Sequence, residues 1–126
     1  MAYDYDNDNI FAKILRGEIP NRTVLDTGHA LAFEDISPRA PVHVLVIPKG
    51  PYVCFDHFQS AATNEEIVGF FETVRGVCEK LNLSPGEGGK GYRMIANTGR
   101  DGVQEVPHFH VHILAGRPIG PMVMAV

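Results

Sequence analysis

The stretch Pro107-His108-Phe109-His110-Val111-His112-Ile113-Leu114 decides how this chain is read. Of the chain's 6 histidines, His108, His110 and His112 stand there in strict alternation with Phe109, Val111 and Ile113. A period of two belongs to a β-strand, whose successive side chains point to opposite faces. The three imidazoles therefore share one face and the three apolar residues the other. Pro107 suits the first position of such a strand. A single strand histidine is ordinarily exposed or hydrogen-bonded to a neighbour, whereas three in register form a row that points to chemistry.

Working outward, Val42 to Ile47 is the most strand-like run, bounded by Pro41 and by Pro48-Lys49-Gly50-Pro51. Alternation sets His43, Leu45 and Ile47 on one face and Val42, Val44 and Val46 on the other, so His43 is placed to meet the imidazole row from a neighbouring strand. Thr23 to Asp26 and His29 to Asp35 read as a hairpin turning at Thr27-Gly28, and Tyr92 to Ala96 as a further strand. Residues 9 to 16 read as a short helix capped by Asp8 or Asn9, with Ile10, Phe11, Ile14 and Leu15 on its apolar face and Gly17 at its end. Thr63 and Glu66 form a capping box for one long helix carrying Ile67, Phe70, Phe71, Val74, Val77, Cys78 and Leu81. The expected class is α+β, an antiparallel sheet of about five strands with one long and one short helix.

With 126 residues, 44% of them hydrophobic, the chain suits one domain, and a formal net charge of -4 argues against a protein that coats nucleic acid. A small anionic ligand stays compatible with that charge. Cys54 and Cys78 form no CxxC pair, which favours free thiols in a reducing compartment. Residues 1 to 8, rich in Asp and Asn, read as a flexible arm with no signal-peptide pattern, and no long apolar run follows. A cytoplasmic protein with no membrane partner is expected. Gly86-Glu87-Gly88-Gly89-Lys90-Gly91 superficially resembles a phosphate loop, yet lacks the Ser or Thr after the lysine and any preceding strand.

Two chemistries compete for the row. Same-face neighbours on a strand are ~6.6 Å apart, so His108 and His112 are separated by ~13 Å along the backbone and cannot easily converge on one ion. His43 would have to complete a metal set, with no cysteine or same-face carboxylate to balance a dication. The other chemistry is nucleophilic catalysis at phosphorus: one neutral imidazole attacks, its neighbours orient it or protonate the leaving group, and water later releases it. No cofactor is required.

Gln104-x-Val106-x-His108-x-His110-x-His112-Ile113-Leu114 resembles the signature of the histidine triad (HIT) superfamily. The resemblance extends through Ile10-Phe11-x-x-Ile14, Ala32-Phe33-Glu34-Asp35-Ile36-Ser37-Pro38, Ala40-Pro41-x-His43 and Tyr92-Arg93-Met94. The branch it most resembles is that of the histidine triad nucleotide-binding proteins, homodimeric purine nucleoside phosphoramidases. The resemblance implies a HIT domain over 9–118 between the arm at 1–8 and a C-terminal tail at 119–126, with the sheet continued across a homodimer. It implies His110 as the nucleophile on the α-phosphorus of a purine nucleoside 5′-phosphoramidate or related adenylated compound. His112 would then sit on the phosphate and leaving group, with His108 and His43 as orienting rings. Asn97, Gln104 and Glu105 would hold the phosphate, Glu105 through its backbone N–H since an ionised carboxylate donates nothing. Ile10, Phe11, Ile14, Phe33 and Ile36 would surround the base of an AMP- or GMP-type ligand, with Asp35 accepting from the ribose hydroxyls. The alternative functions are a nucleotide-binding regulatory or interaction module with vestigial hydrolysis, and a His-liganded metal site.

Overall fold

The alternating runs form the middle of a five-stranded sheet in this computed structural model, which describes residues 3–124. Residues 1, 2, 125 and 126, assigned above to the arm and the tail, lie outside the described residues. The strands are β1 (Thr23–Asp26), β2 (Ala30–Glu34), β3 (Val42–Pro48), β4 (Arg93–Ile95) and β5 (Val111–Ala115). Their spatial order is β1-β2-β3-β5-β4, and every neighbouring pair is antiparallel. The helices are α1 (Ile10–Leu15), α2 (Phe55–Ala61) and α3 (Asn64–Lys80), with a single 3-10 turn at Pro85–Glu87.

Strand alternation sorts the interior into two cores. On one face Ala30, Ala32, Val44, Val46, Phe109, Val111 and Ile113 pack against Phe70, Val74, Val77 and Cys78 of α3. On the other, Leu31, Phe33, Leu45 and Ile47 pack against Phe11 and Ile14 of α1. The short helix is thus what makes the second face of β2 and β3 interior. Asn9 caps it, its Oδ1 accepting from the N–H groups of Phe11 and Ala12 at 2.9 Å each, and Gly17 ends it at φ +79°. The capping box of α3 is present as expected: the Glu66 N–H donates to Thr63 Oγ1 at 3.1 Å and the Thr63 N–H donates to Glu66 Oε1 at 3.0 Å.

Two elements differ from expectation. Helix α2 was not anticipated, because its N-cap is Cys54, which makes no side-chain cap bond, and the segment has no start signal. Tertiary packing holds it: the Phe58 ring stacks on Phe109 at 5.0 Å and meets Phe70 at 5.2 Å. The histidine strand is also shorter at its start than the alternation suggests, with ladder pairing from Val111 rather than His108. Facing it, β3 ends at Pro48, which has no N–H to offer, and the Phe109 N–H turns instead to the Tyr52 carbonyl at 2.7 Å. The alternation nevertheless persists through the unpaired residues: Phe109 stays in the α3 core while His108 and His110 contact Phe11 of α1.

Both cysteines are buried free thiols. Among the described residues, no helix is long and apolar enough to cross a membrane.

Candidate active site

The register brings the second expected strand to the row. His43 pairs with Leu114 and Leu45 with His112 across β3 and β5, so His43 and His112 emerge on the same face. Their rings meet, with His43 Nε2 2.9 Å from His112 Nδ1, and His110 lies next along the row, its ring centroid 5.1 Å from that of His112. Phe11 closes the apolar side, its ring edge-on to His110 at 5.0 Å and to Phe33 at 5.6 Å.

Three main-chain groups determine where each imidazole carries its proton, because a carbonyl can only accept and an N–H can only donate. His110 Nδ1 lies 2.7 Å from the His108 carbonyl, so Nδ1 holds the hydrogen and Nε2 presents a lone pair. His108 Nε2 lies 2.9 Å from the Pro48 carbonyl, so Nε2–H donates there and Nδ1 is left as an acceptor, facing the Tyr5 hydroxyl at 2.6 Å. His43 Nδ1 accepts from the Arg39 N–H at 3.0 Å. Its Nε2 therefore holds the hydrogen and donates to His112 Nδ1, which leaves His112 with its proton on Nε2. The row ends with a lone pair on His110 Nε2 beside an N–H on His112 Nε2, and no side chain among the described residues bonds to either atom.

Burial keeps these rings neutral. Desolvation is the largest cause in all four, lowering His108 and His112 to about 4 and moving His110 and His43 downward as well. Opposing it, the acceptor carbonyls raise His108 and His110, and the Asp35 carboxylate raises His43, His110 and His112. At neutral pH the array is uncharged, which a nucleophilic imidazole requires.

Asp35 follows β2, and its Oδ2 lies 3.5 Å from His43 Nε2 while Oδ1 accepts from the Ser37 N–H at 2.7 Å. Of the residues expected around a base, Phe11, Ile14 and Phe33 are buried together, whereas Ile10 and Ile36 are exposed, at 43% and 93%. Asn97 stands two residues beyond the Ile95–His112 pair, so the strand direction carries it toward His110. Gln104 is engaged at both ends of its amide: Nε2 donates to the Val53 and Val106 carbonyls at 2.6 and 3.0 Å, and Oε1 accepts from the Gly99 N–H at 3.3 Å. It ties together the loops flanking the row. Glu105 is exposed, and its carboxylate is one of the charges that raise His110.

Asp35, His43 and His112 offer ligand atoms within 4.8 Å of one another, a carboxylate that strand alternation alone did not reveal. Their hydrogen bonding does not suit a metal. A ligating histidine donates its second N–H to an acceptor, but His43 Nδ1 faces the Arg39 N–H, a donor. Its Nε2 could coordinate an ion in this arrangement only as an imidazolate.

One residue of the site carried no signal that the sequence reading used. Tyr5, in the acidic arm, reaches His108, and its ring stands edge-on to that imidazole at 5.6 Å. An aromatic residue repeated among aspartates, at Tyr3 and Tyr5, is the available clue.

The array, neutral and at the end of a five-stranded antiparallel sheet, offers a lone pair and an N–H donor on neighbouring rings. Residues 16–119 match the HIT domain. The chain is 54% identical over 123 residues to a 13.2 kDa HIT-like protein of Azospirillum brasilense, covering 98% of both chains. It is 43% identical over 115 residues to the purine nucleoside phosphoramidase of Escherichia coli K12, covering 91% of this chain and 92% of that one. Among solved structures, a HIT family hydrolase from Clostridium thermocellum superposes with a TM-score of 0.81 at 32% identity, covering 94% of this chain and 99% of that one. The chain belongs to the HIT family.

Proposed function

We propose that this protein hydrolyses purine nucleoside 5′-phosphoramidates, or related adenylated compounds, through a nucleotidyl-His110 intermediate. The observation that carries the reading is the hydrogen bond from His110 Nδ1 to the His108 carbonyl, which aims an unprotonated Nε2 out of a buried, neutral ring. The name of the Escherichia coli relative supports the substrate class.

In the first step His110 Nε2 bonds to phosphorus and the P–N bond of the substrate breaks; the departing nitrogen takes its proton from solvent and leaves as the neutral amine, held by a hydrogen bond from His112 Nε2–H. The hydrogen bond that His43 donates into His112 Nδ1 fixes that Nε2–H as the donor. In the second step water bonds to phosphorus, the His110–P bond breaks, and the water's proton returns to solvent. The purine lies against Phe11, Ile14 and Phe33, with Ile10 and Ile36 at the edge, and Asp35 accepts from the ribose hydroxyls. Asn97 and the backbone N–H of Glu105 hold the phosphate, while Gln104 holds the loops that carry them.

The same reading places the protein in the nucleotide-binding branch of the family as a cytoplasmic homodimer, with no metal or organic cofactor. Edge strand β4, flanked by exposed Tyr92 and bearing exposed Met94, offers a surface for the partner sheet. Adenosine and guanosine phosphoramidates assayed with excess chelator test the proposal. Turnover unaffected by chelator supports it. A rate lost on chelation and restored by zinc overturns the metal-free chemistry, and tight binding of AMP without turnover of any substrate favours a binding module instead.

A further inference from the structure

We propose that Tyr5 is a positioning residue for the nucleophile, holding His108 in the tautomer that orients His110 and thereby making the acidic N-terminal arm part of the active site. The inference rests on the reading of His110 as the nucleophile but is argued from separate contacts. His108 is wholly buried and makes three connections. Its Nε2–H donates to the Pro48 carbonyl at 2.9 Å, its Nδ1 lies 2.6 Å from the Tyr5 hydroxyl, and its own carbonyl accepts from His110 Nδ1 at 2.7 Å. With Nε2 committed as a donor, Nδ1 must accept, so the Tyr5 O–H is the donor. The hydroxyl thus supplies the partner that a buried imidazole nitrogen would otherwise lack.

Loss of that donor has two consequences. A buried acceptor without a partner favours rotation or a tautomer change of the His108 ring, and either disturbs the peptide unit whose carbonyl fixes His110. A bond donated to a lone pair also stabilises the neutral ring, so its removal makes His108 easier to protonate. The groups around this contact are few. Phe11 of α1 stands edge-on to His108 at 6.3 Å, His110 is the neighbour whose protonation would lower the proton affinity of His108, and Asn9, Arg16 and Asp6 are the side chains that act on Tyr5. Among the described residues, the Tyr5 hydroxyl is the side-chain donor bonded to His108 Nδ1.

The test is Tyr5→Phe in the full chain, which keeps the ring contact and removes only the hydroxyl, with Asp4→Asn as a control in the same arm. The first readout is the histidine 15N spectrum across pH. The variant is expected to lose the hydrogen-bonded signature of His108 Nδ1 and to protonate His108 at higher pH than the wild type. The second is steady-state kinetics with an adenosine phosphoramidate, where kcat is expected to fall by about tenfold, the scale of one lost hydrogen bond, with KM little changed. Asp4→Asn should match the wild type in both. Unchanged His108 resonances and an unchanged midpoint in Tyr5→Phe overturn the proposal. So does an altered spectrum with kcat unaltered, because the hydroxyl would then hold His108 without serving His110. A wild type that turns over no phosphoramidate defeats the proposed function alone, since the spectrum still reads the Tyr5–His108 contact.

Discussion

Lowering the pH should unfold this protein in a way that His108 dominates, and the magnitude follows from its burial. The ring is fully enclosed and its pKa is lowered from the ordinary 6.5 to about 4, chiefly by desolvation. Because the folded value lies below the unfolded one, the unfolded chain binds the proton first as pH falls. The contribution of neutral His108 is therefore complete above about pH 6.5 and is lost progressively down to about pH 4. That lowering corresponds to about 3 kcal/mol, a large share of the ~5–15 kcal/mol that holds a domain together. His112 shifts in the same direction, and it is less buried, so solvent screening reduces its share. Denaturant unfolding at pH 7.5, 5.5 and 4.0 measures the curve, and His108→Gln isolates the residue. The variant should be less stable than the wild type at pH 7.5, yet its stability should fall about 3 kcal/mol less between pH 7.5 and 4. Parallel curves for the two proteins would refute the reasoning, because the acid sensitivity would then lie in carboxylates such as Glu66, which the Thr63 N–H and the Tyr52 hydroxyl hold below the usual range.

Three further outcomes follow from the same contacts. His110→Ala should bind AMP nearly as well as the wild type while turnover falls by several orders of magnitude; a quench during wild-type turnover, followed by mass spectrometry, should find the nucleotidyl group on His110 and nowhere else. His43→Ala removes the N–H donated into His112 Nδ1, so it should slow substrates with poor amine leaving groups by about tenfold or more and spare activated ones, as parallel rate measurements on the two classes would reveal. Phe109→Ala opens a hole among Phe55, Phe58 and Phe70, all within 5.6 Å of its ring, and should cost about 3–5 kcal/mol in denaturant unfolding.

The parts of the fold legible in the sequence are those where a local period or a capping pair repeats. Val42 to Ile47 is a β-branched, almost continuous apolar run and forms β3; Thr63 and Glu66 announce α3; Asn9 and Gly17 bracket α1. The meeting of His43 with His112 follows from strand alternation once the two strands are neighbours. Helix α2 was not legible, since Cys54 has no capping bond and the segment is held by aromatic contacts with residues distant in the chain. Asp35 appears as a turn residue in sequence, and its Ser37 contact agrees with that, but its approach to His43 depends on how the β2–β3 connection folds back. Gln104 looks like a free amide until its three main-chain partners are seen.

The proton positions on the imidazoles were the least legible feature, and the reason lies in the main chain. A sequence can align four rings by periodicity, but each ring has two neutral tautomers that no period distinguishes. Here the choice is made by the Pro48 carbonyl, the His108 carbonyl and the Arg39 N–H, groups that every sequence possesses and that only the fold positions. Pro48 links the two levels. As a proline it offers no N–H to continue the ladder, so pairing of β3 with β5 stops short of it and its carbonyl remains available to the His108 ring. The same interruption leaves His108 and His110 outside the strand, where the His108 carbonyl accepts from the next imidazole of the row rather than from a neighbouring strand. The end of the sheet is thus where main-chain acceptors become available, and that is why the lone pair of His110 is formed there and not further along β5.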